Sequence, residues 1–182
     1  RGQSAVVYED GSEKTFSYTK TICAYKNAYF FEKGGCMTCQ DHFAQAADIS
    51  FGDIWLSEMK GNPIKHTSCV IRNEKAKELY DAAVNAGVIV DSHISDRDMV
   101  RSQKRALVFK FTCAPAKEAY YAKQGRKVKL VDDDKCSWNH RLAFYLARKN
   151  LAYSEEHYDK LRKIPYQVIY YYMCFIRVLL SF

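Results

Sequence analysis

The order of hydrophobic patterns along the chain is the feature that most constrains its fold. Before residue 93, short apolar runs predict strands, and a single segment has helical periodicity. From Ile94 onwards the patterns are helical. Strands followed by helices are typical of α+β proteins. We therefore predict an α+β fold with a mixed sheet, packed helices and a helical C-terminal extension. A sheet-rich part, residues 1–93, and a basic helical part, residues 94–182, would belong to the same domain.

Six short runs in the first part have the length and composition of β-strands. They lie at Ser4–Tyr8, Lys14–Tyr18, Thr21–Phe31, Asp48–Trp55, Cys69–Arg72 and Val88–Asp91. The Asp10-Gly11 pair between the first two runs predicts a tight hairpin turn. Apolar residues at helical spacing between the last two runs predict a helix that Asn73 caps and Gly87 ends.

Four helical segments are predicted in the second part. They run from Ser95 to about Lys104, from Ala116 to about Gln124, from Ser137 to Leu151 and from Ser154 towards Pro165. A final segment, residues 164–182, is apolar and aromatic nearly all round, which is typical of a buried helix. We expect this segment to pack against a core or a partner protein, and peripheral attachment to a membrane surface is the alternative.

The net charge of +7 resides in the second part of the chain. Residues 1–100 carry 11 basic and 14 acidic groups, whereas residues 101–182 carry 17 basic and 7 acidic groups. Such an excess indicates an anionic ligand, an acidic partner or an anionic membrane, or else helices with solvated basic faces. The stretch 120–127 interleaves tyrosines with basic residues, but no recognised nucleic-acid-binding fold accompanies it. We therefore expect no nucleic-acid partner.

The cysteine content indicates a reducing compartment. The chain has seven cysteines, an odd number, and no signal-peptide pattern at its start. These features favour a cytoplasmic protein over a disulfide-stabilised one. Because the first residue is Arg1, we expect the chain to be a portion of a longer protein.

Cys36 and Cys39 form the most informative motif, a C-x-x-C pair after two glycines. This spacing places two thiolates on one side of a tight loop, as zinc sites and iron–sulfur clusters require. A redox-active dithiol and a coincidental spacing are the alternatives. His42 follows three residues later and is either a further ligand or a turn residue. No P-loop, G-x-G-x-x-G or G-x-S-x-G motif occurs, and we predict no catalytic residue.

The strand predicted after this motif contains an unusual glycine. Its alternation places Ser50 and Gly52 on one side and Asp53 on the other. A glycine inside a strand often marks the close approach of a ligand or another backbone. A β-bulge or a crowded helix contact is the structural alternative.

Together these motifs resemble a known family. They occur in the order Cys36-x-x-Cys39-x-Asp41, then Ala47-Asp48-Ile49-Ser50-x-Gly52-Asp53, then Ser68–Arg72 and a helix ending in Ala86-Gly87. This order is similar to the C-terminal domain of the beta subunit of coenzyme F-420 hydrogenase/dehydrogenase. The resemblance covers roughly residues 4–110. The family consists of oxidoreductases that pass electrons between a [4Fe–4S] cluster, FAD and a substrate, which is the deazaflavin coenzyme F-420 in the founding members. Some bacterial relatives lie among polysaccharide-biosynthesis genes.

The resemblance implies specific roles for five residues. Cys36 and Cys39 would be two metal ligands of the [4Fe–4S] cluster, and Ser50, Gly52 and Asp53 would lie beside the FAD. We expect both cofactors to be incomplete in this chain. The remaining ligands would come from an N-terminal ferredoxin-like region or an electron-transfer subunit, and the reaction would use a redox coenzyme or a small-molecule substrate.

A second hypothesis belongs to a different functional class. In it the chain is a non-enzymatic metal-binding interaction module whose basic helical tail docks an acidic partner. Elemental analysis distinguishes the two hypotheses, because the second requires zinc and the first requires iron.

Overall fold

The computed structural model describes residues 3–18, 21–59, 61, 64 and 66–181. The chain forms two compact units, one made of residues 1–39 and 108–182 and the other of residues 40–107. Small antiparallel strand pairs and several packed helices confirm the predicted α+β class. The boundary at residue 93 stays a prediction. Residue 182, the end of the predicted apolar segment, lies outside the described residues.

The elements are named here in chain order. The strands are β1 (Gln3–Val7), β2 (Glu13–Ser17), β3 (Ile49–Asp53) and β4 (Thr67–Ile71). The α-helices are α1 (Ile22–Asn27), α2 (Glu74–Asn85), α3 (Asp96–Ser102), α4 (Lys104–Leu107), α5 (Ala114–Ala122), α6 (Trp138–Glu156), α7 (Tyr158–Leu161) and α8 (Tyr166–Leu179). Short 3₁₀-helices occur at Gly34–Met37 and Ser57–Met59, and a π-helical turn occurs at Val108–Thr112.

The strands of the described residues form two separate antiparallel pairs, where the sequence predicts one mixed sheet. In the first unit, β1 pairs with β2 across the predicted hairpin, and Gly11 at the turn has a φ of +80°. This left-handed conformation favours glycine because it has no Cβ. In the second unit, β3 pairs with β4. The hairpin and both strands of the second pair are thus confirmed.

Helix α8 forms the centre of the first unit. It packs against α1 and α6 and buries Ile169, Met173, Ile176 and Leu179, which recur every three or four residues. The prediction that this apolar segment packs against a core is confirmed for that face. Among the described residues, no helix is both long enough and apolar enough to cross a bilayer.

The segment Thr21–Phe31 contains a helix, and the prediction of a strand was wrong. Its aromatic side chains favour strands locally, but packing of α1 on α8 overrides this preference. Ala24 and Ala28 are fully buried, and these small residues permit a close helix contact. The tertiary contact therefore decides the local structure.

Two further elements also differ from the sequence-based expectation. Val88–Asp91 forms no strand, because the amide groups of Val88 and Ile89 both donate to the carbonyl of Ala83 and so cap α2. Val90 is 97% exposed. Ser154 does not begin a new helix, because α6 continues without a break to Glu156.

Local signals located the ends of α2 correctly. The Asn73 side chain accepts a hydrogen bond of 2.8 Å from the Ala76 amide, which is the expected N-cap. Gly87 has a φ of +71° just after the helix. Both predicted ends of this helix are confirmed.

The contact of α8 with the core gives the first prediction. Ile176 is fully buried, so Ile176→Ala should lower the free energy of unfolding by about 2–5 kcal/mol. Val178, on the exposed face of the same helix, is the matched control, and Val178→Ala should change stability by less than about 0.5 kcal/mol. Urea unfolding measures both. Equal losses would contradict the described orientation of α8.

Candidate functional site

The predicted cysteine pair lies at a tight turn in the first unit. The 3₁₀-helix Gly34–Met37 contains Cys36, and the Cys39 amide donates to the Gly35 carbonyl over 3.0 Å. Both cysteine residues are exposed and neither forms a disulfide. The turn is anchored by Met37, which lies between them and is fully buried. The sequence therefore folds into a surface turn that presents two thiols and is fixed by one apolar side chain.

The segment leading into this turn has an uncommon backbone conformation. Tyr29 and Phe31 have φ values of 63° and 61°. Non-glycine residues adopt this left-handed region at a cost of about 1–2 kcal/mol each. Helix α6 holds the segment through two side chains, because Asn150 donates to the Ala28 carbonyl over 2.6 Å and Ser154 accepts from the Phe31 amide over 2.9 Å.

The π-helical turn Val108–Thr112 contacts the same region. The Lys110 amine donates to the Cys39 carbonyl over 2.9 Å. The ring of Phe109 stacks on Tyr29 with 4.2 Å between centroids. Single π-turns are uncommon and occur often at functional sites. This turn therefore places a cation and an aromatic ring beside the cysteine segment.

Lys117 is the most unusual charged residue of the unit. It is fully buried, lies 4.4 Å from the centroid of the Phe109 ring, and its amine has no hydrogen-bond partner among the described residues. Burial lowers the pKa of this amine from 10.5 to about 8; Cys113 raises it, Lys110 lowers it further, and Cys39 raises it. The amine is therefore desolvated, and no hydrogen-bond acceptor among the described residues compensates for the lost water.

The structure provides no complete metal site. Among the described residues, no three His, Cys, Asp or Glu side chains come together to hold an ion. Cys113 is buried, and its thiol contacts the His140 carbonyl at 3.5 Å. Burial raises the pKa of this thiol to about 12, so it stays protonated at neutral pH. The exposed Cys36 and Cys39 therefore lie without a third His, Cys, Asp or Glu side chain of the described residues grouped with them.

Ser50 lies on β3 in the second unit, where its hydroxyl group has structural partners. It donates to the Phe43 carbonyl over 2.7 Å and accepts from Arg72 over 3.1 Å. Arg72 also donates to the Ala47 carbonyl over 3.0 Å. These bonds tie the loop before β3 to the strand, so Ser50 positions the loop.

Gly52 and Asp53 lie at the exposed end of the same strand. A Cβ at Gly52 would meet only the Ser68 hydroxyl oxygen, at an ordinary distance of 3.6 Å. The Asp53 carbonyl accepts from the Gln103 side chain over 2.6 Å. The fold therefore does not require glycine at position 52, and this part of the strand is open to a ligand.

His42, the further candidate ligand, lies in the second unit. Its Nε2 is 3.1 Å from the Gln103 side-chain oxygen, so Gln103 joins His42 to the backbone of Asp53. The interpretation of His42 as a structural residue agrees with this contact. Cys36 and Cys39 belong to the first unit, whereas Ser50, Gly52 and Asp53 belong to the second.

Sequence reasoning missed three residues of this region: Lys110, Lys117 and Gln103. Lys110 and Gln103 act across long separations in sequence, as the 71 positions from Cys39 to Lys110 illustrate. Lysine and glutamine are common on helix surfaces, so no local pattern distinguishes these three. The only signal was the basic excess of the second part, which indicated an anionic partner without naming the residues.

The sequence is similar to a known protein family. Residues 1–97 match the family model for the C terminus of the beta subunit of coenzyme F420 hydrogenase/dehydrogenase. A stretch of 71 residues is 32% identical to the coenzyme F420 hydrogenase subunit beta of Methanococcus voltae. That stretch is 39% of this chain and 23% of the relative, so the match covers less than a quarter of that subunit. No solved structure matches the chain.

The fold and the exposed cysteine pair define an α+β protein with a C-x-x-C turn. Since the family match covers more than half of the sequence, the chain belongs to the family of C-terminal domains of coenzyme F-420 hydrogenase/dehydrogenase beta subunits. The resemblance found in the sequence is thereby confirmed. This family is oxidoreductase-related.

The buried amine of Lys117 gives the second prediction. Because its pKa is lowered from 10.5 to about 8, the folded state binds this proton less tightly than the unfolded state. Lys117→Met should therefore be more stable than the natural protein by up to about 3 kcal/mol below pH 8. The difference should shrink as pH rises from 8 towards 10.5, because the folded amine is then neutral while the unfolded one still binds its proton, so rising pH favours the folded natural protein.

Urea unfolding between pH 7 and 10.5 measures this difference. Lys123→Met, at the exposed end of α5, is the matched control and should show little change over the same range. A stability difference for Lys117→Met that is independent of pH would contradict the desolvated state of the amine.

Proposed function

We propose that this chain is the C-terminal part of a flavin- and iron–sulfur-dependent oxidoreductase. It would transfer electrons between a [4Fe–4S] cluster, FAD and a substrate or deazaflavin coenzyme. The observation that carries the proposal is the exposed C-x-x-C turn in a chain of this family. A context in polysaccharide biosynthesis, as for some bacterial relatives, belongs to the same proposal.

Cys36 and Cys39 would hold one side of the cluster. The donor set suits this role, because both thiols are exposed on one rigid turn and iron–sulfur clusters bind through cysteine thiolates. These two cysteines would provide two of four ligands. A ferredoxin-like region or an electron-transfer subunit would supply the others.

The cations near the turn support an anionic occupant. The amine of Lys110 contacts the Cys39 backbone, and the buried Lys117 amine has no acceptor among the described residues. A buried unpaired cation is costly unless a negative charge lies nearby. Thiolates ligating iron would provide that charge, and hydrogen bonds and charges near the sulfurs tune the potential of such clusters.

Gly52 and Asp53 would lie beside the flavin, with Ser50 holding the loop that precedes them. FAD would accept electrons in pairs and release them singly to the cluster. The argument for Gly52 is that the protein itself leaves space for a side chain there. Ser50 donates and accepts structural hydrogen bonds, so its contribution would be positional.

The seven cysteines support a cytoplasmic location in this proposal. All seven lie within the described residues and none forms a disulfide. Reduced cysteines persist in the cell interior, where thiols are kept reduced. An iron–sulfur protein with exposed ligands also requires such surroundings.

The third prediction tests the cluster. The full-length native protein, purified without oxygen, should show iron–sulfur absorption and bound iron. Cys36→Ser or Cys39→Ser should remove most of the iron while circular dichroism stays unchanged, because both side chains are exposed. Cys174→Ser on α8 is the matched control and should retain the iron.

Two results would contradict the proposal. Absence of both flavin and iron–sulfur absorption from the natural protein would exclude the redox function. Stoichiometric zinc without iron, lost in the Cys36→Ser variant, would instead support the metal-binding interaction module.

The fourth prediction tests the flavin contact. Gly52→Ala should leave the fold intact, because the added Cβ meets only one side chain at an ordinary distance. Flavin affinity should fall by about tenfold or more, which corresponds to a steric penalty above about 1.4 kcal/mol. Flavin absorption after purification measures this loss. Gly61→Ala in the same unit, where a Cβ meets nothing within 4 Å, should retain full flavin. Equal flavin content in both variants would rule out close approach at Gly52.

A further inference from the structure

A cavity of about 390 Å³ lies in the first unit beside the cysteine turn. Gly34, Gly35 and Thr38 of the turn form one part of its lining, and residues of α5, α6 and the segment after α5 form the rest. Cavities of this size accept small molecules. Most of the lining residues lie beyond residue 97, where the family match ends. The cavity is therefore a feature of this chain rather than of the matched domain.

Two guanidinium groups line the cavity. Arg126 lies over the ring of Tyr121 at 4.9 Å from its centroid, and Arg148 lies over the ring of Tyr120 at 5.3 Å. Such cation–π contacts attract a guanidinium group to the face of the ring. Neither arginine forms an ion pair with a carboxylate in the described part of the chain.

Arg148 has an unsatisfied donor. Its Nε is buried and has no hydrogen-bond partner among the described residues. A buried donor of a charged group without an acceptor is costly, and native proteins seldom leave one unpaired. An oxyanion in the cavity would accept hydrogen bonds from the guanidinium groups that line it, because such groups bind phosphate and carboxylate oxygens in paired hydrogen bonds.

One carboxylate, that of Glu155, also lines the cavity. Two arginines and one glutamate give the lining a net charge of +1. Glu155 disfavours a ligand that is anionic at every position and suits one that presents a hydroxyl or amino group to it. The lining therefore matches a small molecule with an oxyanion at one end and a hydrogen-bond donor at the other.

We propose that this cavity is a binding site for a small oxyanion-bearing molecule, a phosphate ester or a carboxylate that also carries a hydroxyl or amino group. Arg126 and Arg148 bind the oxyanion, and Glu155 accepts from the donor group. The site does not depend on the proposed redox function, because none of these three residues belongs to the cysteine pair or to β3.

Calorimetric titration at low ionic strength tests this site, with inorganic pyrophosphate and citrate as probes on the full-length native protein. Arg126→Gln and Arg148→Gln should each weaken binding by about tenfold or more, as expected from loss of a charge-assisted bond. Glu155→Gln should tighten the binding of pyrophosphate several-fold, because pyrophosphate carries no hydroxyl or amino group for Glu155 and a repulsive charge is removed. The preferred probe then distinguishes phosphate from carboxylate chemistry.

Matched controls come from the same helix. Arg141→Gln and Glu156→Gln change exposed charges of α6 that do not line the cavity, and they should leave affinity unchanged. If Arg148→Gln does not fold, the variants Arg126→Gln and Glu155→Gln provide the same test, because both side chains are exposed. The proposal is overturned if neither probe binds the natural protein, or if Arg141→Gln weakens binding as much as Arg126→Gln does.

Discussion

The hydrogen bonds from α6 to the segment before the cysteine turn are the constraint on which the candidate site depends. Asn150 and Ser154 hold a stretch in which Tyr29 and Phe31 adopt left-handed conformations that these residues otherwise avoid. Asn150 also accepts a hydrogen bond from Tyr172 of α8. Helix α6, which is itself joined to α8, therefore fixes the direction in which the chain enters the turn, and the buried Met37 completes the attachment.

Basic side chains of the second part of the chain lie in two distinct environments. Lys110 and Lys117 lie in the region of Cys39, whereas Arg126 and Arg148 line the neighbouring cavity. These four cations differ in burial and in partners, so net charge alone says little about them. Gly34 and Gly35 link the two environments, because they open the 3₁₀-helix of the turn and also line the cavity.

Predictions from the sequence succeeded where the signal was local. The Asp10-Gly11 hairpin and the caps of α2 depend on conformational preferences within a few residues, and they form as expected. The sequence-based predictions were wrong where distant contacts compete with local conformational preference. Aromatic residues of Thr21–Phe31 favour a strand, yet burial of Ala24 and Ala28 against the core makes the segment helical. Val88–Asp91 has the composition of a strand but caps a helix.

The sequence by itself determined the α+β class, the family and the pairing of Cys36 with Cys39 on one turn, because a C-x-x-C spacing acts within four residues. It also located the basic excess in the second part, which predicts either an anionic partner or solvated helix faces. Only the tertiary structure decided which cations face that turn and which line a cavity. The bond between Lys110 and Cys39 joins residues 71 positions apart, and the Lys117 amine and the Arg148 Nε are both buried. Burial and charge pairing are properties of packed helices, which no local pattern specifies.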